Sequence, residues 1–516
     1  MRKSTALLCA LLVAAAALAQ EDDVVRLQDP LPKELQFIGY SFTRLTSTNI
    51  TPINDVLQGQ VIGRLFGPNS TTTVPRTALY AEQRFVPFLV YRPAILDGYA
   101  VFRTLFKIDF TWGDVAYGIG GNRGGAINAG QVNLQTLLAN VDLHPPRENW
   151  NLVIGLQRLF DNVRDPNIVP VPVTMTSGYK LGFWGTQAVG VSLYAGLSPT
   201  VKSRLGIFQL WENTISGDDD VILYMADIES RVTPLLEVGA DLWYLHDYGQ
   251  EAGGISVLGQ GLTSALAEYN GAVRIRFPGT TQKYKGHLGW AGAHASYNRD
   301  FLAGRWWFDA FAMANMGILD TVGVHESRAA NVLGFAGNVG ISYKYGMTAN
   351  DRISFEGLFT TGDKNGVEDG KLSSVITGNV WGSPVGIYST HRALVLFPDP
   401  QVVNRYYSAV HDISNMGYGT TAFTLGVWKD VIPNRLATKV GMATAFSNVA
   451  PPGGGNIVGT EVNVEARYNL KVLLQWTVNA GYVWLGDFYN SSVVTLGSPK
   501  PQNPWVFFTT LTWYMF

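Results

Sequence analysis

The chain has 516 residues, of which 15% are charged, 12% are aromatic and 56 are glycine. Mean hydropathy is +0.07, yet beyond the N-terminal stretch no run of about 18 apolar residues occurs, which excludes a helical membrane protein. The low charge and many aromatics exclude disorder, and a net charge of −2 offers no basic field for nucleic acid, leaving the bulk signature of a transmembrane β-barrel.

Residues 1–19 read as a secretory signal peptide and 20–35 as a short periplasmic segment. Arg2 and Lys3 form a basic start, Ala6 to Leu18 an apolar run, and Ala17-Leu18-Ala19 a small-x-small cleavage site. The only cysteine, Cys9, lies inside the peptide. The mature chain is therefore expected to lack disulfides, thiolate metal sites and a Cys nucleophile. Secretion points to the bacterial outer membrane.

From residue 36 to 516 the chain carries a period of two, as a barrel wall requires when it is apolar outside and polar inside. In chain order, strands are predicted near 36–45, 78–92, 98–112, 130–144, 149–160, 180–197, 203–215, 219–230 and 234–246. They continue near 284–299, 303–317, 332–347, 351–362, 417–429, 435–448, 457–469, 471–487 and 503–516. Short turns rich in Asn, Asp and Pro alternate with longer connections. The long external loops are 46–77, 113–129, 161–179, 247–283, 318–331, 363–416 and 488–502. The phase holds only if 247–283 is one loop, so its alternating piece Ala265–Phe277 reads as a hairpin or lid. The fold class is all-β, an antiparallel transmembrane barrel of about 18 strands with both ends periplasmic, wide enough for an aqueous channel.

Parity assigns the lumen. The basic residues expected inside are Arg103, Lys107, Arg305, Lys344, Arg352, Lys439 and Arg467, with Arg274 and Arg276 in the 247–283 loop forming a basic constriction if that loop folds inward. The acidic ones are Asp109, Glu237, Asp241, Asp309, Glu356, Glu461 and Glu465, and Gln131, Asn133 and Gln135 join them. So many charges imply a hydrated interior, and both signs leave ion preference open.

Catalytic motifs are poor. Gly118–Gly125 misses the dinucleotide spacing, because Arg123 sits where a third Gly is needed. The stretch from Asp363 to Gly370 has oxygen ligands at alternating positions, with Asp363, Asn365 and Asp369 as candidate calcium ligands, but lacks the later bidentate Glu. Asp218-Asp219-Asp220 reads as a solvated turn. The chain ends in Thr512-Trp513-Tyr514-Met515-Phe516, with Phe508 on the same face as Tyr514 and Phe516. This resembles the C-terminal signal that outer-membrane barrels present to the β-barrel assembly machinery.

Gly155-Leu156-Gln157-Arg158-Leu159-Phe160-Asp161 resembles the Gly-Arg-Gln strand end of alginate-export-type outer-membrane porins. Thr360-Thr361-Gly362-Asp363-Lys364-Asn365, followed by Asp369-Gly370-Lys371, resembles a loop those proteins carry after a mid-barrel strand. The resemblance implies an 18-stranded barrel whose external loop gates a path for small solutes or an anionic polysaccharide. The leading expectation is a passive channel and no enzyme. A plugged surface-binding barrel and a membrane-embedded hydrolase remain alternatives.

Overall fold

The computed structural model describes residues 34–52, 63–64, 71–112, 133–146, 148–159, 186–212, 217–249, 284–322, 327–376, 392–397, 408–409, 415–495 and 497–515. The signal peptide, Gln131, Arg274, Arg276, the 265–277 piece and Phe516 lie outside them, as do the side chains of Asp109, Asn133 and Gln135.

Eighteen long strands build the wall. They are β1 (Leu35–Pro52), β2 (Thr71–Tyr91), β3 (Ala100–Thr111), β4 (Asn133–Leu143), β5 (Trp150–Leu159) and β6 (Thr186–Ser198). Next come β7 (Val201–Trp211), β8 (Val221–Arg231), β9 (Leu236–Asp247), β10 (Tyr284–Tyr297), β11 (Trp306–Thr321) and β12 (Arg328–Lys344). The last are β13 (Arg352–Thr360), β14 (Thr420–Ile432), β15 (Leu436–Ser447), β16 (Ile457–Lys471), β17 (Leu474–Leu485) and β18 (Trp505–Met515). Each pairs antiparallel with the next, and β1 closes onto β18 from Gly39↔Met515 to Thr48↔Val506. Closure removes every sheet edge, so the ladder pairs its own backbone polar groups, which hydrocarbon cannot do.

At that seam Arg44 Nε donates to Thr510 Oγ1 at 3.1 Å, and the guanidinium lies 4.8 Å from the ring centres of both Phe42 and Phe508. Thr48 Oγ1 donates to the Trp505 carbonyl, and Asn49 Nδ2 to that of Asn503.

Period-two sequence becomes two faces. On β12, Leu333, Phe335 and Val339 point outward and are exposed, while Val332, Ala336, Asn338 and Ser342 point inward and are buried. Aromatics gather at strand ends, as at the two interfaces of a membrane. Trp306 packs 4.7 Å from Tyr343 at one end, and Tyr482 4.8 Å from Trp484 at the other. An even-numbered closed barrel with an apolar exterior belongs in the bacterial outer membrane. Among the described residues the only helices are short 3₁₀ turns such as Ala94–Leu96 and Asp487–Asn490.

Short connections lie at the end that carries Leu35 and Met515. In 433–435, Asn434 takes the left-handed conformation at φ 62°, and Arg435 N donates to Ile432 O at 2.9 Å. Asn298 also adopts positive φ, at 55°, and its buried amide donates to Trp306 O at 2.6 Å while its oxygen accepts from Ala303 N at 2.8 Å. Asp351 anchors the β12–β13 turn. It accepts from Met347 N at 3.1 Å and Asp430 N at 3.0 Å, and Lys429 Nζ lies 3.0 Å away. Burial pushes this carboxyl up, but those donors outweigh it and hold it below the usual carboxylate range.

The first hairpin outruns its expected length. β1 reaches Pro52 and β2 starts at Thr71, where 46–77 was expected as loop. Those extensions are rich in Thr, which favours the extended backbone through its branched Cβ but gives no apolar alternation to read.

Candidate functional site in the lumen

Three strands illustrate the inner wall. On β9 the inward series from the short-turn end is Glu237, Gly239, Asp241, Trp243 and Leu245. On β8 it is Glu229, Asp227, Met225, Leu223 and Val221. On β15 it is Lys439, Gly441, Ala443 and Ala445. On these three strands most inward charge sits toward the short turns, but the order is not general. Asp247 is buried at the loop end of β9, Glu461 is buried level with Ala443, and on β2 Val86 and Val90 lie nearer the short turns than Glu82 and Arg84. Trp243 and Trp290 are each 1% exposed. With Leu245 and Leu288 they belong to an apolar cluster toward the loop end of β9 and β10, which a count of inward charges does not reveal.

The charged part of the lumen has two chemically different walls. On β7–β10, Arg204 Nε donates to Asp227 Oδ2 at 2.7 Å, and Trp243 Nε1 to Asp227 Oδ1 at 2.7 Å. Asp241 stands in register with Asp227. Glu229 lies 3.6 Å from His294, and Glu237 3.0 Å from Arg299. Acidic groups dominate this wall. On β12–β16 cations dominate. Arg352 stacks over Trp428 at 4.5 Å, and Lys344 lies 5.8 Å from the Phe301 ring centre. Glu465 is 4.0 Å from Lys439 and 3.4 Å from Arg467. Glu356 accepts from Asn338 Nδ2 at 2.6 Å and pairs with Arg392.

Elsewhere, Arg103 is buried, donating to Asn140 Oδ1 at 2.9 Å and lying 3.2 Å from Asp142. Asp142 also meets His144 at 2.8 Å and accepts from Asn151. Neither Asp142 nor His144 was singled out from the sequence, because the pair assembles from one strand end and its turn. Lys107 and Asp309 are half-buried on their strands. Arg305 is corrected: it is exposed in the turn before β11, and its Nη1 donates to the outward Tyr343 Oη at 3.4 Å, so it belongs to the rim. Phe508 and Tyr514 share a face, but at Phe508 that face is the inner one, under Arg44.

The candidate calcium ligands Asp363 and Asp369 are engaged by protein donors. Asp363 Oδ1 accepts from Asn365 N and Gly366 N, and its Oδ2 from Ser373 N and Oγ, all within 2.7–2.9 Å. Asp369 accepts from Lys371 N. These carboxylates cap backbone turns, and no acidic or His cluster fit for a metal exists among the described residues.

The largest departure is the β13–β14 connection. Lys371–Leu372 runs parallel to Asn331–Val332 of β12, Trp290 Nε1 donates to Ile376 O at 2.9 Å, and Ile376 N to Asn315 Oδ1 at 2.9 Å. Further on, residues 393–397 are all buried against the inner wall of β14–β17. Part of the expected external loop 363–416 thus lies inside the barrel. Of the loops, only 247–283 is considered for an inward fold from the sequence, and its residues 250–283 lie outside the described ones. The first trace of the inward segment in the sequence is the unbroken apolar run Ala393-Leu394-Val395-Leu396-Phe397, which does not by itself tell an inward path from an external one.

No family model matches the chain, and neither does any curated protein, so the alginate-export-type resemblance gains no support. Among solved structures the chain is similar to a BenF-like porin from Pseudomonas fluorescens Pf-5, at 11% identity, covering 94% of this chain and 99% of that one, TM-score 0.48. It is similar to OccAB4 of Acinetobacter baumannii at 10% identity, covering 94% and 99%, TM-score 0.46. It is also similar to Pseudomonas aeruginosa OccK2 (OpdF) in complex with glucuronate, at 12% identity, covering 93% and 98%, TM-score 0.47.

Proposed function

We propose that the chain is a passive outer-membrane channel for small polar solutes, and not an enzyme. The observation that carries this is the charged part of the lumen, where acidic groups dominate the inner wall on β7–β10 and basic groups that on β12–β16. Charges are held there by pairing and by hydrogen bonds along the wall, which pre-orients them at no cost to a passing solute. A solute with separated charges would find partners on both sides. The inward segment 392–397 occupies part of the bore, which favours small solutes over a polysaccharide. The His144–Asp142 pair is completed by Arg103 and Asn151, not by a hydroxyl nucleophile.

Lipid is the expected neighbour of the outer band, and Tyr514 with Phe516 the expected contact of the assembly machinery. Deleting Phe516 should lower the amount of folded protein in the outer membrane.

The test of the channel is reconstitution in planar bilayers. Ion conductance is expected, and reversal potentials in a salt gradient should move toward cations in the double variant Arg352→Glu, Arg467→Glu. Lack of conductance, both in the parent and after deletion of 250–282, would sink the reading.

A further inference from the structure

Glu461 is the odd carboxylate of the lumen. It is fully buried in β16, with its register partners Ala443 on β15 and Val483 on β17. No Lys or Arg pairs with it among the described residues. Its four donors are Leu394 N at 2.6 Å, Val395 N at 2.9 Å, Leu396 N, and Asn463 Nδ2 at 2.7 Å. Three consecutive backbone amides converging on one carboxylate form an anion nest, here supplied by the inward segment to the wall.

We propose that Glu461 is the positioning residue that holds segment 392–397 inside the barrel and thereby sets the bore, the second half of this resting on the channel reading. The dependence runs both ways. If the segment leaves, a buried carboxylate loses three of its four donors; if the carboxylate goes, three buried N–H groups lose their acceptor. Because the contact is to backbone, it fixes the path of the chain and not the identity of its side chains.

The wall is shaped for this path. Asn463 Nδ2 also donates to Arg392 O at 2.8 Å. A Cβ on Gly441 would stand 2.2 Å from that same carbonyl, and one on Gly426 would stand 3.2 Å from Arg392 Cγ. A Cβ on Gly481 would stand 3.3 Å from Val395 Cγ2. The competing account is that apolar packing of Leu394 to Phe397 holds the segment without help from the carboxylate.

Disulfide trapping separates the two. Val395→Cys with Gly481→Cys, in the full chain with Cys9→Ala, should oxidise readily, because the wall and the segment are in contact. Glu461→Gln preserves shape and packing but turns an N–H₂ toward a backbone donor. It should slow trapping by about ten-fold. Leu396→Pro removes one donor from the segment and leaves the barrel strands untouched, so it should slow trapping too, even if changes at 461 prevent folding. In bilayers, Glu461→Gln should lose the parental conductance level and show a larger one, and oxidising the cysteine pair in that background should restore the first.

Trapping at the parental rate in both Glu461→Gln and Leu396→Pro would overturn the proposal. Slowed trapping without conductance in any variant would support the positioning role and count against the channel.

Discussion

Glu356, Glu461 and Glu465 share an inner face, and period two could say so. It could not say what each one meets. Glu465 meets wall cations, whereas Glu356 and Glu461, beside a wall Asn each, take partners from a segment 36 and 67 residues away in sequence. A period assigns a face to a side chain but carries no information about which loop comes back to it. Arg305 shows the converse: parity pointed it inward, but it lies one residue before its strand, where the turn frees it to reach Tyr343. Two predictions belong at this scale. Phe335 lies near the middle of β12 and faces lipid, so Phe335→Arg should destabilise the barrel by about 2–4 kcal/mol in urea titrations in lipid vesicles. Asp351→Asn should destabilise at neutral pH. The wild-type carboxyl is depressed, so its contribution is fully present above the unfolded value near 3.9 and lost as pH falls through the folded one. The stability gap between variant and parent should therefore close in acid; a gap constant from pH 7 to pH 3 would contradict this.

Strands and short turns were the most readable elements. The expected strand near 284–299 is observed as Tyr284–Tyr297, and that near 457–469 as Ile457–Lys471. Alternation and turn chemistry act locally, so a local reading finds them. The piece 265–277 was set aside on phase alone, and β9 does pair directly with β10 over Leu236↔Tyr297 to Asp247↔Gly286. The inward segment was missed because nothing local distinguishes an apolar run that descends into a barrel from one in an external loop. Its second trace is glycine on the inner face at 426, 441 and 481, which only the register brings into one row, with Asn463 between the last two. Gly441→Val should displace the segment through the clash with Arg392 O, read as slower trapping of the 395–481 cysteine pair with the barrel still heat-modifiable on gels. Gly289→Ala, which meets nothing closer than 3.6 Å, is the matched control.

At the scale of the whole molecule, composition named the class because the membrane imposes it. A chain that must pair all of its backbone in hydrocarbon, and has no spanning helix, must close a sheet. The apolar cluster around Trp243 and Trp290 inside the barrel was not in the composition, because it depends on where along each strand the inward residues sit. The seam between β1 and β18 carries a further consequence, one of time. Arg44 and Thr510 are 466 residues apart, and Asn49 and Asn503 are 454. Such contacts form only after the cost of closing that long loop has been met. Until then two strand edges stay open and the exterior has no membrane to suit it. Removing residues 505–516 should accordingly leave no partly inserted sheet, and the truncated chain should be wholly protease-sensitive. The contacts that complete the barrel are therefore the ones that wait for the first strand to find the last.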